Sequence, residues 1–143
     1  MKELQKYKLL IVDDDEEMCE ELKDILEQEG YLVDTANDGA VGIRLITKNR
    51  YNILLLDLKL PNREGYEILK YIWDSHINLK VIVVTGSPVA EMFSQAQERV
   101  AGASFRQDDT NHLNILKLAD DVIGKPFDMK TIILRVNELT GKN

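Results

Sequence analysis

Four short apolar runs in this chain are each followed by side chains that can hold a cation or contact a phosphate. Carboxylate oxygens are the ligands that hard divalent cations prefer, and hydroxyl and ammonium groups hydrogen-bond to phosphate oxygens. In an open parallel sheet, ligands bind beyond the carboxyl ends of the strands. The side chains in question are Asp13 and Asp14 after run 9–12, Asp57 after 53–56, Thr85 after 81–84, and Lys125 shortly after 122–123.

The acidic residues of this set predict a magnesium site. Three neighbouring carboxylates repel one another, so at least one would take up a proton unless a cation were bound. Mg²⁺ favours one or two carboxylates together with waters and phosphate oxygens. The alternative is that residues 13–15 only begin a helix, because carboxylates stabilise helix N-termini. That explains Asp15 well, but it does not explain Asp13 and Asp14 directly after a buried strand, or Asp57.

Asp57 is also a candidate nucleophile. It lies between Leu56 and Leu58, where an unused charge is unusual. A carboxylate can attack phosphorus and form an aspartyl phosphate, and such transfer needs positioning and charge neutralisation more than acid–base help. Thr85 and Lys125 are placed to contact the phosphoryl group. The alternative for Asp57 is that it caps the following loop.

The elements that position these residues follow from the hydrophobic pattern. The four runs are continuously apolar, which is typical of strands buried on both faces, and residues 31–36 form a more mixed strand near a sheet edge. Helical spacing lies between the strands. The predicted helices begin after Asp15, after Asp38-Gly39, after Gly65, at Pro88 and near Met129.

Five alternations of strand and helix predict an α/β fold with a doubly wound, five-stranded parallel sheet. Right-handed crossovers favour the common strand order 2-1-3-4-5, which makes strands 1 and 3 neighbours. Asp13, Asp14 and Asp57 should then lie together. The segment between Thr85 and Asp121 is unusually long, and we predict an enlarged region at 102–118 between helix 4 and strand 5. A surface loop with a short helix is the expected form, and a partner-contacting element is the alternative.

Composition limits the class of protein. The 143 residues have the length of one domain, and we expect a single domain over 1–143 with an ordered core of about 7–141. A formal net charge of −7 argues against a nucleic-acid surface. We find no apolar stretch near the ~20 residues of a membrane helix, and no signal peptide. The single cysteine, Cys19, is consistent with a reducing compartment, so we expect a cytoplasmic protein without membrane contact.

The chain resembles the receiver domain of two-component response regulators over nearly its whole length. Each matching segment is weak alone, but four in the right order on the right elements are specific. The segments are 9–15 (LLIVDDD), 53–61 (ILLLDLKLP) with Gly65, 81–86 (VIVVTG) and 119–127 (ADDVIGKPF). The resemblance implies the flavodoxin-like receiver fold.

The resemblance also implies a role for each acidic residue. Asp57 would be the phosphoacceptor, receiving a phosphoryl group from the phosphohistidine of a sensor histidine kinase or a histidine phosphotransfer protein. Asp14 would bind Mg²⁺ directly, with Asp13 beside it, often through water. The backbone carbonyl of Lys59 would be a further ligand of the metal, together with Asp57.

Thr85 and Lys125 would contact the phosphoryl group, and the resemblance implies a cis peptide bond between Lys125 and Pro126. Phosphorylation would rearrange the face formed by helix 4, strand 5 and helix 5. The chain departs from the family there, because Val122 stands where relatives often have an aromatic residue, and the enlarged region falls on the same face.

The predicted function is therefore a phosphoacceptor signalling module with an unidentified downstream protein target. It would assist its own phosphorylation and slow dephosphorylation without turning over a separate substrate. One alternative is a constitutive docking module that has the fold but no switch. Another is an aspartyl-nucleophile phosphatase of the dehalogenase type, but those enzymes carry a second aspartate where this chain has Lys59. A flavin carrier is disfavoured because no Ser/Thr/Gly-rich phosphate loop follows strand 1.

Overall fold

A computed structural model describes residues 6–60, 64–86 and 114–141 of the chain. Its five strands form one parallel sheet in the order β2-β1-β3-β4-β5, which confirms the predicted fold class and strand order. The strands are β1 (Lys8–Val12), β2 (Leu32–Ala36), β3 (Ile53–Leu56), β4 (Lys80–Gly86) and β5 (Asp121–Lys125).

Four helices of the described residues connect and follow these strands. They are α1 (Glu16–Gln28), α2 (Gly39–Lys48), α3 (Gly65–Asp74) and α4 (Met129–Thr140). The helix predicted from Pro88 lies outside the described residues, so α4 corresponds to the fifth predicted helix. Of the predicted enlarged region at 102–118, only 114–118 are described, and residues 114–116 are helical.

Both faces of the sheet are covered, which explains why its central strands are continuously apolar. Successive side chains of a strand point to opposite faces. Leu10 and Val12 of β1 belong to a core that includes residues of α2 and α3. Leu9 and Ile11 belong to a second core that includes residues of α1 and α4. The sheet therefore lies between two pairs of helices, α2 and α3 on one face and α1 and α4 on the other.

The helix ends follow from local capping chemistry. The carboxylate of Asp15 accepts a hydrogen bond from the Met18 N–H at 3.0 Å, so Asp15 caps α1 as expected. Asp38 caps α2 in the same way, through the Val41 N–H at 2.8 Å. Gly141, in the left-handed region at φ 74°, ends α4. The caps at Asp15 and Asp38 fix where the loops that follow β1 and β2 end.

The adjacency of β1 and β3 brings the two acidic segments together. Val12 is paired with Leu56, and the Asp57 N–H donates to the Val12 carbonyl at 2.9 Å. Asp13 and Asp57 therefore leave the sheet side by side. Within residues 6–60, 64–86 and 114–141, no helix is both long and apolar enough to cross a membrane.

Candidate functional site

An acidic cluster occupies the carboxyl edge of the sheet at β1 and β3. Asp13, Asp14 and Asp57 each offer a carboxylate oxygen, and these oxygens lie within 4.8 Å of one another. Asp13 and Asp57 are only 2% and 7% exposed, whereas Asp14 is open to solvent. The cluster thus has two buried carboxylates and one accessible carboxylate.

Lys125, at the end of β5, brings a positive charge to this cluster. Its Nζ donates to Oδ2 of Asp13 at 2.8 Å and lies 3.5 Å from Oδ2 of Asp57. The next peptide bond, to Pro126, is cis, as the sequence resemblance implied. The ammonium therefore bridges the two buried carboxylates, and its shorter contact is with Asp13.

The electrostatics of the cluster favour a bound cation. Burial raises the pKa of Asp57, and the negative charge of Asp13 raises it further. The charge of Lys125 and the Lys59 N–H partly oppose this. Burial lowers the pKa of Lys125, but its hydrogen bond to Asp13 and the two carboxylate charges outweigh burial, so the net shift is upward. The single positive charge of Lys125 therefore does not fully neutralise the negative charge of the carboxylates. The all-oxygen donor set and the uncompensated charge fit Mg²⁺.

The loop after β3 is held tightly against the start of α3. The Lys59 N–H lies 3.4 Å from Oδ1 of Asp57, which places the Lys59 backbone beside the carboxylate. The Gly65 N–H donates to the Leu58 carbonyl at 2.8 Å. A Cβ on Gly65 would lie 2.6 Å from the Leu58 Cα and closer still to the Asp57 carbonyl oxygen. Only glycine allows α3 to approach this loop so closely.

Thr85 reaches the same edge of the sheet from β4. It is 2% exposed, is paired with Gly124, and precedes Gly86, which is paired with Lys125. The structure therefore brings together, at one sheet edge, the side chains that the sequence singled out: Asp13, Asp14, Asp57, Thr85 and Lys125.

Comparison with known proteins agrees with this arrangement. The family model for the response regulator receiver domain matches residues 9–105. The chain belongs to this family. Receiver domains are signalling modules of two-component response regulators, so the receiver domain identified from the sequence is confirmed.

This receiver domain is similar to the response regulator ArlR of Staphylococcus saprophyticus, at 32% identity over 132 residues. That match covers 92% of the chain and 51% of the relative, so the chain spans about half the length of this curated protein. A CheY-like receiver domain protein from Methanospirillum hungatei superposes with a TM-score of 0.74 at 29% identity, covering 96% of both chains. The response regulator protein TrrA from Thermotoga maritima, solved in complex with Mg²⁺-BeF, has a TM-score of 0.69 at 25% identity, covering 93% of this chain and 98% of that one.

Two residues that the sequence analysis did not assign to the site contact the backbone of Asp13 in this receiver domain. Nδ2 of Asn37 donates to the Asp13 carbonyl at 3.0 Å, and Sγ of Cys19 lies 3.5 Å from the same oxygen. Burial raises the pKa of the Cys19 thiol to about 12, with the charge of Asp13 adding to the effect. Cys19 is therefore a protonated residue packed in the core. Asn37 directly follows β2. Ligands bind beyond the carboxyl ends of parallel strands, and the same argument that selected the other residues could therefore have selected Asn37.

Proposed function

We propose that this receiver domain accepts a phosphoryl group on Asp57 from the phosphohistidine of a sensor histidine kinase or a histidine phosphotransfer protein. The observation that carries the proposal is the position of the Asp57 carboxylate. It is buried at a sheet edge beside a second carboxylate, and Lys125 contacts both, so that a nucleophile, a metal and a phosphoryl group can meet there.

Asp13, Asp14 and Asp57 would hold Mg²⁺, with the backbone carbonyl of Lys59 as a further ligand. When bound, the ion supplies positive charge that offsets the charge of the phosphoryl oxygens. The similar response regulator TrrA was solved in complex with Mg²⁺-BeF, which supports a magnesium site in this domain. The low solvent exposure of Asp57 supports its proposed role as the phosphoacceptor, because a buried carboxylate loses fewer bound waters before it reacts.

In the proposed transfer, a carboxylate oxygen of Asp57 forms a bond to phosphorus as the bond between phosphorus and the histidine nitrogen breaks. The imidazole leaves with the electron pair of that bond. Lys125 would then pair with a phosphoryl oxygen, and the hydroxyl of Thr85 would donate to another. The phosphoryl group of the product carries a charge of roughly −2. It replaces the single negative charge that the Asp57 carboxylate loses when the bond to phosphorus forms, and the more negative group changes the partners available to Lys125.

The proposed output is a rearrangement of β5, α4 and the helix predicted from Pro88, read by a downstream protein. Val122 is half-buried on β5 and has no aromatic ring to move inward, so this output need not follow the usual form of the family. Slow self-dephosphorylation would reset the domain. We also propose a single domain with a core of about 7–141, a cytoplasmic location consistent with the lone cysteine, and no contact with nucleic acid or membrane.

Intact-mass measurement tests this function. The chain is incubated with Mg²⁺ and acetyl phosphate, and separately with a phosphohistidine protein as donor. We expect one added phosphoryl group, its loss in Asp57→Asn, and its suppression by a chelator. Asp24→Asn is the matched control, because Asp24 is an exposed aspartate on α1 away from the cluster, and it should retain uptake.

Two results would contradict the proposal. A folded chain that takes up no phosphoryl group from either donor would favour the constitutive docking module. Continuous release of phosphate from unrelated phosphate esters would favour the aspartyl phosphatase.

A further inference from the structure

On the basis of the function proposed above, we propose that Asn37 is a positioning residue for the magnesium site. Its side chain would hold the peptide group between Asp13 and Asp14, so that the Asp14 carboxylate is kept in place to ligate the metal. Asn37 itself would not touch the ion.

The contacts of Asp13 carry this inference. The carbonyl oxygen of Asp13 accepts from Nδ2 of Asn37 at 3.0 Å, and Sγ of Cys19 lies 3.5 Å from the same oxygen. The Asp13 N–H donates to the Ala36 carbonyl at 3.1 Å. Two consecutive residues, Ala36 and Asn37, therefore hold the peptide groups on both sides of Asp13.

Asn37 is itself fixed on both sides along the chain. Ala36 is the last residue of β2 and is paired with Val12 of β1. Asp38 caps α2 through its hydrogen bond from the Val41 N–H. Nδ2 of Asn37 also lies 3.7 Å from Sγ of Cys19. Asn37 therefore lies between the last residue of a strand and the capping residue of a helix, which restricts the position of its side-chain amide.

Asp14 is the carboxylate that most needs this support. Oδ1 of Asp13 accepts from the Asp15 N–H at 3.0 Å, and Lys125 contacts both Asp13 and Asp57. The exposed Asp14 carboxylate makes no hydrogen bond or ion pair with residues 6–60, 64–86 or 114–141. Because a peptide group is planar, holding the Asp13 carbonyl also holds the amide nitrogen of Asp14 and restricts the start of its side chain.

The expected effect is a loss of metal affinity without a loss of chemistry. Removing an outer partner that orients metal ligands typically weakens binding by about 10–100-fold. Since Asn37 acts through the backbone, we expect the low end of this range, about tenfold, for Asn37→Ala. Phosphoryl uptake at saturating Mg²⁺ should still reach one group per chain, because Asp57 and Lys125 are unchanged.

The experiment uses the full chain and two readouts. Amide chemical shifts in NMR spectra are followed during titration with MgCl₂ at constant ionic strength, and phosphoryl uptake from acetyl phosphate is measured by intact mass across the same Mg²⁺ range. Asn37→Leu accompanies Asn37→Ala, because leucine keeps the approximate size of the side chain but has no donor. The matched control is Asn49→Ala, since Nδ2 of Asn49 also donates to a backbone carbonyl, that of Leu45, at the far end of α2.

We expect the half-saturating Mg²⁺ concentration to rise about tenfold in both Asn37 variants and to stay within about twofold in Asn49→Ala. An unchanged Mg²⁺ affinity in either folded Asn37 variant would overturn the inference, as would an equal loss in Asn49→Ala. Loss of uptake even at saturating Mg²⁺ would also overturn it, because Asn37 would then act in the chemistry. If the unsubstituted chain neither binds Mg²⁺ nor is phosphorylated, the proposed function itself fails, and the inference fails with it.

Discussion

Substitution of Gly65 by alanine should disturb the loop that carries the proposed phosphoacceptor. The added Cβ would lie 2.6 Å from the Leu58 Cα and 3.0 Å from the Asp57 carbonyl carbon, distances that backbone atoms do not tolerate. Either α3 or the loop must move, and the Gly65 hydrogen bond to Leu58 weakens. Overpacking typically costs about 1–3 kcal/mol, and we expect the upper end, about 3 kcal/mol, because the obstacle is backbone.

The measurement is urea unfolding, with phosphoryl uptake as a second readout. With a slope of roughly 2 kcal/mol/M, a loss of about 3 kcal/mol lowers the midpoint by roughly 1.5 M. Because the Asp57 backbone moves with the loop, the rate of uptake should fall as well, by about tenfold or more.

Gly42→Ala is the matched control for this prediction. Gly42 is buried in the interior of α2, where the three heavy atoms nearest to an added Cβ all belong to the Val12 side chain, with its two methyl groups at 3.1 Å. Alanine gains about 0.5–1 kcal/mol of helix propensity there, which offsets the small shift of Val12, so the net change should stay within about 1 kcal/mol. Equal effects of the two substitutions, or a cost below about 0.5 kcal/mol for Gly65→Ala, would refute the reasoning from backbone contact.

Three further predictions follow from the described contacts. The Cys19 thiol, with its pKa raised to about 12 by burial, should react with Ellman's reagent at pH 8 only after unfolding. Because the unfolded thiol ionises near 9.0, its contribution to stability should be lost as the pH rises from about 9 to 12, as urea midpoints across that range would show. Tyr51→Phe removes a 2.8 Å hydrogen bond to the half-exposed Asp34 and should lower the free energy of unfolding by about 1 kcal/mol, measured in urea. The raised pKa of Asp57 means that its charge opposes folding at neutral pH. Asp57→Asn should therefore raise the thermal midpoint without Mg²⁺ and reduce the gain that Mg²⁺ gives, which in the unsubstituted chain is about 2.7 kcal/mol at a hundredfold excess over the dissociation constant.

The parts of the fold that the sequence predicted are those set by local pattern. Apolar runs located the strands, because strands covered on both faces need continuous hydrophobicity. Aspartates located the starts of α1 and α2, because their carboxylates cap the first turn. Gly42 inside α2 is explained only by the structure, since the helix approaches Val12 too closely there for a larger residue without adjustment.

The site was predictable only as far as strand ends determine it. The convergence of Asp13 and Asp57 follows from strand order, and Lys125 follows from the end of β5. The bridge that Lys125 makes between the two buried carboxylates depends on side-chain conformations, which no spacing encodes. The hydrogen bond from Asn37 to the Asp13 carbonyl is also a tertiary contact. It joins the loops that follow β1 and β2, and the register between these two strands determines whether Asn37 lies beside Asp13.

The central claim is that Asp57 is the nucleophile of a magnesium-dependent phosphoryl acceptor site. A crystal structure of the chain grown with Mg²⁺ and beryllium fluoride tests it most directly. The account predicts a fluoroberyllate group on a carboxylate oxygen of Asp57, a Mg²⁺ ion ligated by the Asp13, Asp14 and Asp57 cluster, and Lys125 turned toward the fluorides. Fluoroberyllate on another side chain, or a metal bound away from these three aspartates, would contradict it.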